Sequence, residues 1–148
     1  MRESLIIREM ESRDIAVVCE LVRQLTGHEI SPADMQNRLD WVRCSPIDWL
    51  FVCEADGQVQ GWMGFRIREN LERVSRYGEV SVLVTNAESR RQGIGRALMA
   101  FAENLAREKG CIGTWLVSGL KREAEAHEFY RHLGYEVTGY RFVKLFDA

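Results

Sequence analysis

Apolar residues recur along this chain at two periods, near two and near 3.6, and the change from one to the other marks its elements. Leu5-Ile6-Ile7-Arg8 reads as a short strand. Asp14 stands where it can cap a helix whose Ile15, Val18, Cys19, Val22 and Leu25 share one face. Ser31-Pro32-Ala33-Asp34 joins a cap residue to a proline at the first helical position and an acid two residues later. A helix to about Val42 follows, with Met35, Leu39 and Val42 inward.

Residues 49–55 and 59–67 are strand-like runs on either side of Asp56-Gly57-Gln58, a hairpin turn signal that predicts antiparallel pairing. The charged, aperiodic stretch 66–76 reads as a loop at the substrate side, and 77–85 as a further strand. From Ile94, the positions Ala97, Leu98, Phe101, Ala102, Leu105 and Ala106 trace the strongest amphipathic helix of the chain, stopped at Gly110. Residues 112–117 predict a strand, 124–133 a helix closed by Gly134, and 135–146 one or two final strands. The order implies an α/β fold with a mixed sheet and helices on its faces.

The length, 148 residues, suits a single domain, 1–148, in which cofactor and substrate share one site. No apolar run approaches the roughly 20 residues of a membrane span. The N-terminus enters its strand without the pattern of a secretory signal, so the cytoplasm is the expected compartment. A net charge of −2 argues against a nucleic-acid surface, leaving small molecules as the expected partners. Cys19, Cys44, Cys53 and Cys111 form no CxxC pair and read as reduced packing residues; no metal site is expected. A cysteine nucleophile would need a nearby base, and His28, His127 and His132 leave that alternative open.

The chemistry lies in Arg90-Arg91-Gln92-Gly93-Ile94-Gly95-Arg96, between a strand and a long helix. Glycines there let the backbone approach a phosphate, and the helix N-terminus offers N–H groups and a positive dipole end. Taken alone, the spacing fits a tight turn with solvated arginines equally well. It is neither a Walker loop nor a dinucleotide fingerprint.

The loop resembles the cofactor motif R/Q-x-x-G-x-G/A of the GNAT superfamily of N-acetyltransferases, with Arg90, Gly93 and Gly95 at its fixed positions. Ala126-His127-Glu128-Phe129-Tyr130-Arg131-His132-Leu133-Gly134-Tyr135 is similar to the family's A-x-x-F-Y-x-x-x-G-F/Y signature, and the order of elements agrees through most of the chain. The resemblance implies a mostly antiparallel central sheet, a splayed fourth and fifth strand pair, helices on both faces, and acetyl-CoA as cosubstrate without a metal. It places the pyrophosphate on amides from Arg91 to Arg96, with Arg90, Gln92, Gly93, Ile94, Gly95 and Ala97 around it. Leu83, Val84 and Thr85 then lie beside the pantetheine and acetyl group, and Phe129 against the cofactor. Glu123 stands where the family often has an asparagine that contacts the cofactor arm.

Acetyl transfer to an amine needs a base and an acid. Tyr130 is the candidate acid for the departing thiolate; the plainer alternative is a helix-face aromatic packed with Phe129 and Leu133. Glu79 is the candidate base, since Glu79-Val80-Ser81-Val82-Leu83-Val84 resembles the corresponding segment of aminoglycoside 6'-N-acetyltransferases. Its alternatives are a strand-end acid paired with Arg73 or Arg76, and water as the base. The C-terminal part is similar to small-amine members, including aminoalkylphosphonate N-acetyltransferases. A protein or peptide amine as acceptor, a non-catalytic acetyl-CoA-binding sensor, and a homodimer formed through Tyr140, Phe142, Val143 and Phe146 stay open.

Overall fold

A computed structural model describes residues 4–90, 92–119 and 123–147. Residues up to Thr114 form one compact unit and those from Trp115 onward a second. The elements are β1 (Leu5–Glu9), α1 (Ile15–Thr26), α2 (Pro32–Cys44), β2 (Asp48–Ala55), β3 (Gln58–Glu69), β4 (Arg76–Thr85), α3 (Ile94–Glu108), β5 (Gly113–Leu116) and α4 (Glu123–His132), with 3₁₀ turns at Ser12–Asp14 and Ala87–Ser89. The sheet order is β1-β2-β3-β4-β5, antiparallel through β4 and parallel between β4 and β5.

Alternation along the strands divides the first unit's core in two. On one face Val52, Trp62 and Val84 meet Val18 and Leu21 of α1 and Met35 and Leu39 of α2. On the other, Phe51 packs edge-on against Phe101 of α3 with ring centroids 4.7 Å apart. The predicted hairpin turn is present: Asp56 and Gly57 both have positive φ, 52° and 79°, the twist a two-residue connection requires. Ser31 caps α2 as expected, its Oγ accepting from the Asp34 N–H at 3.0 Å.

Four readings of the sequence change. The charged stretch from 66 is a strand as far as Glu69, because Arg66 and Arg68 alternate with buried Phe65 and Ile67; only 70–75 is a loop. The pattern at 135–146 does not become strands. It supplies β propensity but no strand partner among the described residues, where the second unit's other elements are α4 and the last residues of β5. Val137, Tyr140, Phe142, Val143, Leu145 and Phe146 are exposed. Cys44 is exposed rather than packed, at the last position of α2.

Asp14, expected to cap α1, does not do so, because Arg8 claims it. Arg8 forms a fork to both Asp14 oxygens at 2.8 Å and donates Nε to Glu54 at 2.5 Å, while the Glu11 N–H also donates to Asp14. The network ties β1 to β2 and to the entry of α1. Burial disfavours the Asp14 charge, but the hydrogen bonds from Arg8 and Glu11 outweigh it and hold the carboxyl below the usual aspartate range. Asp14→Asn should lower the unfolding free energy at neutral pH by about 2 kcal/mol, less than for a fully buried pair because Glu54 still faces Arg8. With the folded pKa depressed, this stability is complete above the unfolded aspartate range and disappears as pH falls through the folded value. Urea unfolding curves of parent and variant should therefore converge in acid.

Candidate active site

The loop after β4 is held from two sides. Asn86 N–H donates to the Gln60 carbonyl at 2.8 Å, and Ser89 Oγ to Gln60 Oε1 at 2.7 Å. From α1, Gln24 accepts from the Ala87 N–H at 2.8 Å and donates to Asn86 at 3.4 Å. Gln60 has this role because the β2–β3 register shifts at Cys53/Glu54, leaving it as an extra residue between Val59 and Gly61. Sequence reading missed Gln24, Gln60 and Ser89. Only Asn86, a turn-former whose side chain accepts from the Glu88 N–H, carried a visible signal.

The loop delivers the chain to α3 through Gly93, whose φ is +82°. A Cβ there would meet nothing within 4 Å, so the glycine is required by backbone conformation rather than by room. No side chain caps the helix and its first turn carries no acid, so the leading N–H groups and the positive dipole end are left for an anion. Gly95 differs. It sits within that first turn, where helical backbone needs no glycine. Ile94 is buried, Gly95 and Ala97 are half-buried, and Arg90, Gln92, Gly93 and Arg96 are exposed. Arg91 lies outside the described residues.

Leu83, Val84 and Thr85 close β4, Val84 in the core and its neighbours half-buried. β5 has four residues against ten in β4, so it can pair with only part of that strand's outer edge. A β-bulge decides where Glu79 points. Gly64 pairs with Val82 but Phe65 with Val80, leaving Ser81 as the extra residue. The bulge puts Glu79 on the face of Val82 and Val84, opposite Arg66. Arg66 is itself paired in register with Asp48, giving a row Asp48, Arg66, Glu79 across three strands. The ion pairs are long: Arg66 Nε is 3.7 Å from Asp48 Oδ1, and Arg68 Nε is 3.8 Å from Glu79 Oε1. Arg68, rather than Arg73 or Arg76, is thus the cation beside Glu79, and Arg76 pairs with Glu69 at 3.1 Å.

In the second unit, Tyr130 on α4 is half-buried and meets Phe129 and Tyr135 edge-on, with centroids 5.1 and 6.2 Å apart. Its carbonyl accepts from the Tyr135 N–H at 3.0 Å, a turn made possible by Gly134 at φ +93°. The Glu123 side chain lies outside the description. Burial pushes the Cys53 thiol up to about 11 and raises Cys19 and Cys111, which disfavours the thiolate at these three positions. Among the described residues no cluster of His, Cys, Asp and Glu could hold a metal, and no helix is long and apolar enough to cross a membrane. A cavity of about 470 Å³, lined by Arg8, Leu39, Arg43, Asp48 and Trp49 among others, opens at the end of the sheet away from the glycine loop.

The sequence pattern of the acetyltransferase (GNAT) family matches residues 15–135. The chain is 32% identical over 130 residues to the aminoalkylphosphonate N-acetyltransferase of Salmonella typhimurium, covering 87% of this chain and 80% of that protein. Its fold is similar to that of a transcriptional regulator from Bacillus halodurans (TM-score 0.88, 20% identity, 97% and 100% of the two chains). It is also similar to the aminoglycoside N-acetyltransferase AAC(6')-Iy in complex with CoA (TM-score 0.83, 17% identity, 99% and 97%).

Gly93→Ala should lose about 1 kcal/mol through strain at positive φ, which chemical denaturation of parent and variant checks.

Proposed function

Because the chain belongs to the acetyltransferase (GNAT) family and is an acyltransferase, we propose that it moves an acetyl group from acetyl-CoA to the primary amine of a small molecule. The observation that carries the donor half is Gly95. A glycine in the first turn of a helix lowers stability, and close approach of a pyrophosphate to the N–H groups from Gln92 to Arg96 gives a reason for it. Arg90 and Arg96 supply positive charge around that anion, the sequence adds Arg91 outside the described residues, and Ile94 and Ala97 fix the turn. The Ile112 N–H meets the Arg76 carbonyl at 2.8 Å, so the four residues of β5 start at the far end of β4 from Leu83, Val84 and Thr85, which supports backbone contacts of these three with the pantetheine arm. Phe129 is assigned to the same cofactor. Similarity to the aminoalkylphosphonate enzyme supports a small amine as acceptor rather than a protein.

The reaction joins the amine nitrogen to the acetyl carbon as the carbon–sulfur bond breaks. An amine with a pKa near 10.4 spends about 4–5 kcal/mol to become neutral at pH 7, so a proton acceptor is useful. Glu79, directly or through water, takes that proton, and the bulge at Ser81 is what turns it toward the α1–α2 side of the sheet. Arg68 Nε stands 3.8 Å from its carboxylate. Tyr130 returns a proton to the departing thiolate, its phenol oriented by the aromatic contacts to Phe129 and Tyr135.

Calorimetry with coenzyme A on a folded Gly95→Val protein should show at least a tenfold loss of affinity; parental affinity would place the cofactor elsewhere. Thiol release from acetyl-CoA across a panel of amines tests the transfer itself. In that assay Tyr130→Phe and Glu79→Gln should each lower kcat by about 10²–10⁴ with the affinity for coenzyme A kept, and unchanged turnover would return these residues to packing and surface roles.

A further inference from the structure

We propose that the acceptor amine carries an oxyanion two or three carbons from its nitrogen and that Arg66 binds it; this rests on the reading of the chain as a small-amine N-acetyltransferase. Arg66 lies on the same face of β3 as Trp62 and Gly64, with Asp48 and Glu79 beside it in register. Its Nε is buried and makes no hydrogen bond, and the nearest carboxylate oxygen, on Asp48, stands at 3.7 Å. Four residues earlier on that face the buried Trp62 also has an unpartnered Nε1 donor. Between the two, Gly64 contributes no side chain. A Cβ there would come within 2.5 Å of Ser81 Oγ and 3.0 Å of Val82 Cγ1, so those side chains close over the glycine.

This face therefore holds two buried donors that the described residues do not satisfy. Leaving such donors unmet costs free energy, most of all when the donor is charged. A ligand bearing oxygen acceptors relieves that cost, and a ligand bearing only an amine does not. Adjacent cross-strand residues lie about 5 Å apart, so an oxyanion on Arg66 leaves room for two or three carbons before the nitrogen reaches Glu79. The row of alternating charge complements a zwitterion: anion to Arg66, amine to Glu79. Phosphonate, sulfonate and carboxylate share this chemistry, and a guanidinium binds the tetrahedral and planar groups alike through paired N–H donors.

The test compares 2-aminoethylphosphonate, 2-aminoethanesulfonate, β-alanine and 3-aminopropylphosphonate with ethanolamine and 3-aminopropanol in the thiol-release assay. The parent should favour at least one anionic amine over its matching alcohol by about tenfold or more in kcat/KM. Arg66→Gln should compress that ratio toward one, and Arg66→Lys, which keeps the charge, should retain part of it. Alcohols used as well as every anionic amine by the parent would overturn the proposal while leaving acetyl transfer standing, as would a folded Arg66→Gln protein that keeps the parental ratio. Thiol release that no amine raises above the amine-free rate would remove the small-amine reading, and this one with it.

Discussion

The first turn of α3 can lie against the sheet only because β3 has no side chain at Gly61. A Cβ there would sit 2.6 Å from Ile94 Cγ2 and 3.0 Å from Leu98 Cδ1, the two residues that seat the helix. Much of the proposed donor site depends on that approach. It sets the height of the N–H groups at the start of α3 relative to the end of β4. The neighbouring residue, Gln60, is displaced from the regular ladder and so is free to hold Asn86 and Ser89. One strand position thus fixes the helix and the next fixes the loop that leads into it.

The acceptor side is organised by an irregularity of the opposite strand. In an unbroken ladder Glu79 would share the face of Val80's neighbours on the α3 side, where Phe65, Met63 and Ala106 form an apolar core. One extra residue at Ser81 moves it to the face that carries Arg66 and Arg68. The carboxylate thereby stands opposite Arg66 and 3.8 Å from Arg68 Nε, and the row it joins is electrically alternating instead of uniform. A single inserted position along β4 changes both the orientation and the charge environment of the residue assigned as base.

Elements with a strong period were legible from the chain. The α3 stripe, the Ser31 cap with Pro32 and the Asp56-Gly57 turn all declare themselves locally, and the structure has each of them. The loop glycines were legible as a motif, though not that Gly93 is there for its φ while Gly95 lies in helix. What was hidden depends on distant partners. Asp14 looks like a cap until Arg8 and Glu54 claim the same space. Arg68 looks like a loop residue because its own spacing is polar; it is strand because β4 flanks it, with Tyr77 opposite. The terminal segment shows the reverse, an alternating pattern without a neighbouring strand among the described residues. Bulges at Gln60 and Ser81 leave no compositional mark, since neither position carries glycine or proline.

The Arg8 network also says something about the order in which the sheet is put together. β2, β3 and β4 are joined by a two-residue turn and the short stretch 70–75, so each pairing closes little chain. β1 is different: its partner β2 begins only after α1 and α2 have been traversed. The entropy of closing a segment grows with its length, and non-local contacts are the slow ones to gather. The meander β2-β3-β4 can therefore exist as a template before β1 arrives, and the Arg8 fork is the clasp fastened when it does. A protein built this way exposes its outermost strand first when it opens, and the strands that carry Gly61, Glu79 and Arg66 last.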